Sequence, residues 1–260
     1  MLQLEVYFVL VAERRRQILD LLNKNGTITV AELAKKFGVG EATIRRDLRH
    51  LEKNYHVVVT YGGAHLPHYG MLQEFPLTQK MLINTEQKRL IARKAASLIQ
   101  DGDSIALNAG STVELILEYL PKFSMLTVVT LSLNLAIRAA MIPYINLVMP
   151  GGVLRRTSYE FCGSHAEHFL ATLNVDKAFI GASAASIEKG ITHPVLEEVP
   201  LNRLMMDIAR EKYLVVDSSK FGLVAFGQFA RLEEFTGFIV DDDFPEEMRT
   251  YAEAHDIKII

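Results

Sequence analysis

Thiol chemistry is almost missing from the sequence: Cys162 is the one cysteine among 260 residues, so no disulfide can close within the chain. Long apolar runs are missing too, since no uncharged stretch reaches the roughly 20 residues that cross a bilayer. The opening residues, Met1 to Val11, are apolar but contain Glu5, lack a positively charged start and show no small-residue cleavage site. That pattern argues against a signal peptide. The stretch reads either as a strand or helix extension packed on the body, or as the product of an upstream start codon chosen in error. These gaps predict a reducing, cytoplasmic setting and no membrane partner.

Charge of one sign is also in short supply, with a net charge of −3. It is unevenly spread: Met1 to Ala64 hold 10 Lys and Arg against 7 Asp and Glu, leaving 18 against 24 for the rest. Only the N-terminal part suits a polyanion. What is present is an ordinary globular composition, 49% hydrophobic and 23% charged, at a length that favours two domains.

From Glu13 to Asn23, Ile18, Leu19, Leu21 and Leu22 recur at helical spacing behind the basic run Arg14, Arg15, Arg16. This predicts a first helix ending near Gly26. Thr29 is placed to cap a second helix over Val30 to Phe37, with Glu32 in its first turn. After the turn Gly38-Val39-Gly40, a third helix over Glu41 to Lys53 sets Ile44, Leu48 and Leu51 on one face, which turns Arg45, Arg46 and Arg49 outward. Thr43 lies near its start, where a recognition helix reaches base edges. Val57, Val58 and Val59 read as a strand, and Tyr61-Gly62-Gly63-Ala64 as the turn of a hairpin wing.

The ordered string predicts a winged helix-turn-helix that binds double-stranded DNA through Thr29, Thr43, Arg45, Arg46, Arg49, Tyr61 and Gly62. Arg45 and Arg46 are assigned to bases as well as phosphates, and Arg49 to phosphate. A helical bundle with solvated arginines that binds only protein explains any single feature equally well. It does not explain their order.

His65 to Pro76, with Pro67, Gly70 and Pro76 among polar residues, marks a boundary. The expected organisation is 13–64 for the DNA-binding domain, 65–79 for a linker and 80–260 for an α/β body. Asn84 or Thr85 would cap a helix running to about Gln100. Beyond it, six apolar runs alternate with helical patterns: Ser104 to Leu107, Leu126 to Thr130, Ile145 to Met149, Lys177 to Ile180, Tyr213 to Val216 and Gly237 to Val240. They predict a mostly parallel, Rossmann-like sheet covered on both faces.

Ligands of such sheets sit beyond the carboxyl ends of the strands. Small and polar residues follow the strands here: Asn108-Ala109-Gly110-Ser111-Thr112, opening a helix; Thr130 and Ser132; Gly151 and Gly152 with Arg155; Gly181, Ala182 and Ser183; and Asp217 to Lys220. Gly110 would let the backbone approach an anion closely. The loop lacks the Gly-Lys-Ser/Thr of a Walker motif, and any one of these turns can be merely structural. Together they favour an anionic ligand. Lys220 reads either as a partner for a phosphate or as a surface ion pair with Asp217.

The strings ERRRQIL, ITVAELAKKFGV, EATIRRDLRHLE and TYGGA, followed by DGDSIALNAGST, VVTLSLNLA, MPGGVLRRTSYEFCG, KGIT and LVVDSSKFG, resemble the DeoR family of bacterial regulators over nearly the whole chain. The resemblance implies a sensor domain similar to phosphosugar isomerases, which binds a phosphorylated sugar and releases the repressor from its operator. It implicates Gly110, Ser111, Thr112, Ser132, Gly152, Arg155, Gly190, Glu198 and Lys220 in holding the effector, beside Asn108, Thr130 and Gly151 from the strand ends. Departures from the family pattern are Gly40 for a capping Ser, Tyr55 for Gly and Val59 for a wing Arg. In the body they are Asn108 for Asp, Leu131 for Asn, Ala184 for Gly and Asn202 for Lys.

The expected protein is therefore a non-catalytic, homo-oligomeric (dimeric or tetrameric) repressor of a sugar or polyol operon. Two alternatives stand beside it: a phosphosugar isomerase using Asp217 or Glu198 as base, and a DNA-binding oligomer whose pocket is vestigial. His165 and His168, three apart in a helix, are expected at the surface, and Met205 and Met206 in a core or interface, so neither pair supports a metal or cofactor.

Overall fold

The computed structural model describes residues 2–55, 57–65 and 74–260, with side chains at all of these except 2–10, 23, 24 and 54. Leu66 to Gln73, the middle of the expected linker with Pro67 and Gly70, lie outside the described residues. The chain divides into two compact units, Met1–Tyr69 with Thr78–Asn84, and Gly70–Leu77 with Thr85–Ile260.

In the N-terminal unit the elements are α1 (Leu2–Asn25), β1 (Thr27–Thr29), α2 (Val30–Phe37), α3 (Glu41–Asn54), β2 (Val58–Val59) and β3 (Gly63–His65). The apolar opening residues thus continue the first helix backwards. Thr29 starts α2 with a capping box: its hydroxyl accepts from Glu32 N at 3.2 Å, while the Glu32 carboxylate accepts from Thr29 N at 2.8 Å. Ile18, Leu19, Leu22, Leu33, Ile44, Leu48 and Leu51 are all but inaccessible to solvent and pack together. Each such side chain contributes about 1.5–3 kcal/mol when fully buried.

Strand β1 was not expected. It pairs antiparallel with β3, which pairs with β2, giving the order β1-β3-β2. Gly63 makes this possible, because a Cβ there would lie 2.1 Å from the Ile28 carbonyl oxygen.

The larger unit centres on a sheet of seven strands. These are β4 (Ser104–Leu107), β5 (Leu126–Thr130), β6 (Ile145–Val148), β9 (Val175–Ile180), β12 (Ala209–Val215), β14 (Gly237–Ile239) and β15 (Lys258–Ile259). All pair in parallel, in the order β15-β14-β12-β9-β4-β5-β6. Six match the expected runs, and the seventh, β15, closes an edge.

Successive side chains of a strand point to opposite faces, and the two apolar clusters follow that rule. Ile105, Leu107, Phe179, Tyr213 and Val215 pack with α5 (Thr85–Ser97) and the 3₁₀ segment Val113–Tyr119. Ala106, Ala178, Ile180 and Leu214 pack with α7 (Ser164–Leu170) and α8 (Val199–Asp207). Met205 and Met206 belong to this second core, and His165 and His168 are exposed on α7.

Two smaller antiparallel pieces sit beside the main sheet. One is the hairpin of β7 (Val153–Arg155) and β8 (Glu160–Cys162), and the other is β10 (Ala184–Ser186), β11 (Gly190–His193) and β13 (Gly227–Ala230). The remaining helices are α4 (Leu77–Lys80), α6 (Leu133–Ala140) and α9 (Glu246–Ala254). Among the described residues, no helix is long and apolar enough to cross a membrane.

Candidate functional site

On α3, Ile44, Leu48 and Leu51 face the core and Arg46 and Arg49 are exposed on the other side. Arg45 is half-exposed and pairs with Glu41 of its own helix at 3.0 Å, and Thr43 is partly exposed near the helix start. Neither Arg46 nor Arg49 forms an ion pair among the described residues. Gly40 sits at the N-cap of α3 without a side-chain cap. On the hairpin, Tyr61 is 96% exposed and Gly62 is exposed beside it. Val59 packs partly against the core, so the position where the family carries a wing arginine is turned to packing instead.

One ion pair here was not foreseen. Asp47, 2% exposed, accepts from Arg14 Nε at 2.7 Å and Arg15 Nε at 2.8 Å. Two members of the basic run on α1 are thereby committed to holding α3 in place. Arg16 bonds Glu13 and Asp20 on α1 itself, which holds the Glu13 carboxyl down at about 2 through hydrogen bonds from Arg16 and Gln17.

In the body, the polar strand ends divide into groups already engaged and groups that are not. The Thr130 hydroxyl donates to Leu107 O at 2.7 Å and accepts from Ser132 N at 3.1 Å. Ser132 caps α6, accepting from Leu135 N. Asn108 is buried, and its Nδ2 donates to Gly181 O at 2.9 Å and Asn202 Oδ1 at 2.7 Å, while its Oδ1 accepts from Gly181 N at 2.8 Å. These three residues position the loops. By contrast, Ser111 and Thr112 are buried with no hydrogen bond from their hydroxyls, and Lys220 is half-buried without an ion pair, all among the described residues. Asp217 does not pair with Lys220; it accepts from the backbone and hydroxyl of Ser219.

The segment after Thr112 is a 3₁₀ helix rather than an α-helix, with Leu115 N bonded to Thr112 O and no side-chain cap. Its tighter winding aligns fewer peptide dipoles than an α-helix would. At Gly110 a Cβ would meet only Val113 Cγ2 among protein atoms, at 3.7 Å, so the space beside its backbone is open. Gly152 is required by the fold: with φ +138°, its Cβ would lie 2.6 Å from Cys162 O, so it locks the mouth of the β7–β8 hairpin, next to Gly151. Gly190 sits at the opposite end of β11 from His193, and its requirement is the nearby Ala230 carbonyl, 2.3 Å from a built Cβ.

Arg155 lies at the centre of a buried polar cluster. It donates through Nη1 to Glu198, and as a fork to Glu74, Nη1 to Oε1 at 3.1 Å and Nη2 to Oε2 at 3.0 Å. Burial works against its charge, but the two carboxylates more than offset this and hold the guanidinium protonated far above its usual range. Glu198 stands at the N-cap of α8 yet does not cap it; its other oxygen lies 3.3 Å from His193 Nε2, and its carbonyl accepts from Asn202 Nδ2 at 2.8 Å. Asn202 in turn receives Asn108, so one chain of bonds runs from β4 to β7.

Glu160 and Cys162 adjoin this cluster, each with a donor atom within 4.8 Å of the other and of Glu198. Burial first, then the Glu160 and Glu198 charges, push the Cys162 thiol up to about 12. Glu198 of this trio is committed to Arg155, and Cys162 Sγ lies 3.9 Å from Glu160 O. Glu74, Glu160, His193 and Glu114 escaped the sequence reading, and only for Glu160, beside Arg155 in the hairpin, did a local signal exist.

Residues 14–69 match the DeoR-like helix-turn-helix domain, and residues 83–242 match the DeoR C terminal sensor domain. The HTH-type transcriptional regulator GlpR of Haloferax volcanii is 34% identical over 97% of this chain and 98% of its own. The lactose phosphotransferase system repressor of Staphylococcus aureus is 32% identical over 94% of this chain and 98% of its own. The outward arginines of α3, the wing and the parallel sheet with its polar strand ends thus agree with both comparisons. This chain belongs to the DeoR family of DNA-binding transcriptional regulators.

Proposed function

We propose that the protein is the repressor of an operon for sugar or polyol utilisation and is released from its operator by a phosphorylated sugar. The observation that carries the effector half of this reading is a set of unengaged polar groups beyond the carboxyl ends of β4 and β12, two strands that flank β9. Ser111, Thr112 and Lys220 have hydroxyls and an ammonium to offer and no internal partner among the described residues. Hydroxyls and an ammonium of this kind suit an oxyanion, which completes their bonds when it binds. Arg155 and Glu198 lie on the β7–β8 side and connect to Asn108 through Asn202, while Asn108, Thr130 and Ser132 hold the loops. The named functions of the relatives, a lactose phosphotransferase system repressor among them, support the same class of regulated genes.

Recognition without turnover fits the cluster better than catalysis. Isomerisation requires a carboxylate free to take a proton. Asn108 is an amide bonded on both atoms, Glu198 is held by Arg155 and His193, and Asp217 Oδ1 accepts from the backbone and hydroxyl of Ser219. On the DNA side, an oligomer, dimer or tetramer, presents two α3 helices to half-sites about 34–36 Å apart. The effector acts through its unequal affinity for the operator-competent and released arrangements.

A thermal-shift panel of sugar and polyol phosphates on the full chain tests the reading. A ligand that binds only the native state raises the midpoint with concentration. Flat midpoints across the whole panel leave a DNA-binding oligomer with a vestigial pocket, and turnover of ribose or fructose phosphates would replace the proposal with an enzyme.

A further inference from the structure

Glu74 lies in Gly70–Leu77, a short stretch of the sensor unit that precedes Thr78–Asn84 of the other unit, 81 residues before the arginine it binds. The two carboxylates differ in depth: the Glu198 side chain is 5% exposed and Glu74 18%, against 23% for Arg155. Glu198 therefore backs the guanidinium from within, and Glu74 is its more accessible partner. The grip is bidentate, oxygen to nitrogen twice over, which is how a guanidinium recognises a carboxylate or a phosphate. Three residues on, Leu77 N donates to Thr157 O at 3.1 Å, tying this stretch to the turn of the β7–β8 hairpin.

We propose that Glu74 is a built-in stand-in for the effector's phosphate: it occupies the oxyanion subsite of Arg155 in the unliganded chain and is displaced when a phosphate monoester binds. The inference rests on the effector reading given above and deepens it, by naming the subsite, the group that fills it and the residue that must leave. Glu198 remains behind Arg155 throughout, so the exchange is one oxyanion for another at the same fork.

The exchange predicts competition. A subsite covered nine-tenths of the time weakens apparent affinity about ten-fold, and removing the internal competitor restores it. The test titrates the full chain with inorganic phosphate and with ribose 5-phosphate by calorimetry, as wild type, Glu74→Gln, and Glu74→Gln combined with Arg155→Gln. Glu74→Gln is expected to bind both probes about ten-fold tighter than wild type, and the double variant to lose the gain.

Equal affinity of wild type and Glu74→Gln, with ribose 5-phosphate bound by both, overturns the displacement while leaving the effector reading intact. A gain that persists in the double variant also overturns it, because the benefit would then be general charge rather than the Arg155 fork. Absence of binding of either probe to any of the three proteins overturns the displacement, because a fork freed of Glu74 should accept inorganic phosphate, and leaves the effector reading to the thermal-shift panel. Glu74→Gln keeps the side chain's shape and can still offer one oxygen to the Arg155 fork, and a thermal scan accompanies the titration to confirm that the variant is folded.

Discussion

Asn108 and Asn202 meet in the buried centre of the sensor unit through a 2.7 Å hydrogen bond, at the two positions where the family pattern has Asp and Lys. The two departures are a single exchange: a charged pair has become a neutral one, with the net charge of the site unchanged. Asn108→Asp alone places a carboxylate against the Asn202 and Gly181 carbonyls without a cation. It should cost about 2–4 kcal/mol of unfolding free energy. Adding Asn202→Lys should recover at least half of the loss in a urea double-mutant cycle. Additive costs in that cycle would show that the two positions are independent.

Arg46 and Arg49 should separate in their effects on DNA. Arg46→Ala is expected to weaken binding to a selected duplex and to lose about 1–3 kcal/mol of discrimination against altered sites. Arg49→Ala should weaken all duplexes alike and reduce the slope of log affinity against log salt by about one. Fluorescence anisotropy over a salt series measures both, and specific binding unchanged by Arg46→Ala would remove that residue from the base-reading face.

Asp47 is the internal counter-charge of Arg14 and Arg15. Asp47→Ala leaves two partly buried guanidinium groups without a partner and should destabilise the N-terminal unit by about 3 kcal/mol. Far-UV circular dichroism during urea unfolding would register this as an earlier transition. A loss below about 0.5 kcal/mol, the range of an ordinary surface change, would mean the clamp contributes nothing.

Glu114 sets a pH dependence. It is 1% exposed, and burial raises its carboxyl above the ordinary value of 4.5, against the opposing pull of Asn134, Arg138 and Ser132. The folded chain therefore holds this proton more tightly than the unfolded chain does. The resulting stability is fully present below pH 4.5 and is lost as pH rises through the higher folded value. Glu114→Gln cannot lose a proton, so its stability relative to wild type should climb across that window and then level off. Parallel stability curves for the two proteins from pH 4 to 8 would contradict the assignment.

Legibility in the sequence followed the range of the interactions involved. Helix α2 was predicted residue for residue because its determinants are local: a capping threonine, an acidic first turn and a glycine at its end. Strands β4 and β5 were equally clear, since their apolar runs are bounded by turns. Strands β1, β10, β11 and β13 are short, pair antiparallel with distant partners and leave no periodic trace. The site shows the same division. Ser111, Thr112 and Lys220 follow strands and could be named in advance. Glu74 and His193 acquire their roles only by meeting Arg155 and Glu198, 81 and 5 residues away in the chain, and no local pattern announces such a meeting. For Thr130 and Asn108 the position was foreseen, but their engagement with backbone was not.

The enclosed thiol of Cys162 has a practical consequence. Only the thiolate attacks maleimides and oxidants, and here it is suppressed by burial and by neighbouring carboxylates. The native chain is thus a silent background for labelling: a cysteine introduced at an exposed point such as Tyr61 would carry a fluorophore alone, and the movement of the wing could be followed without altering the effector site.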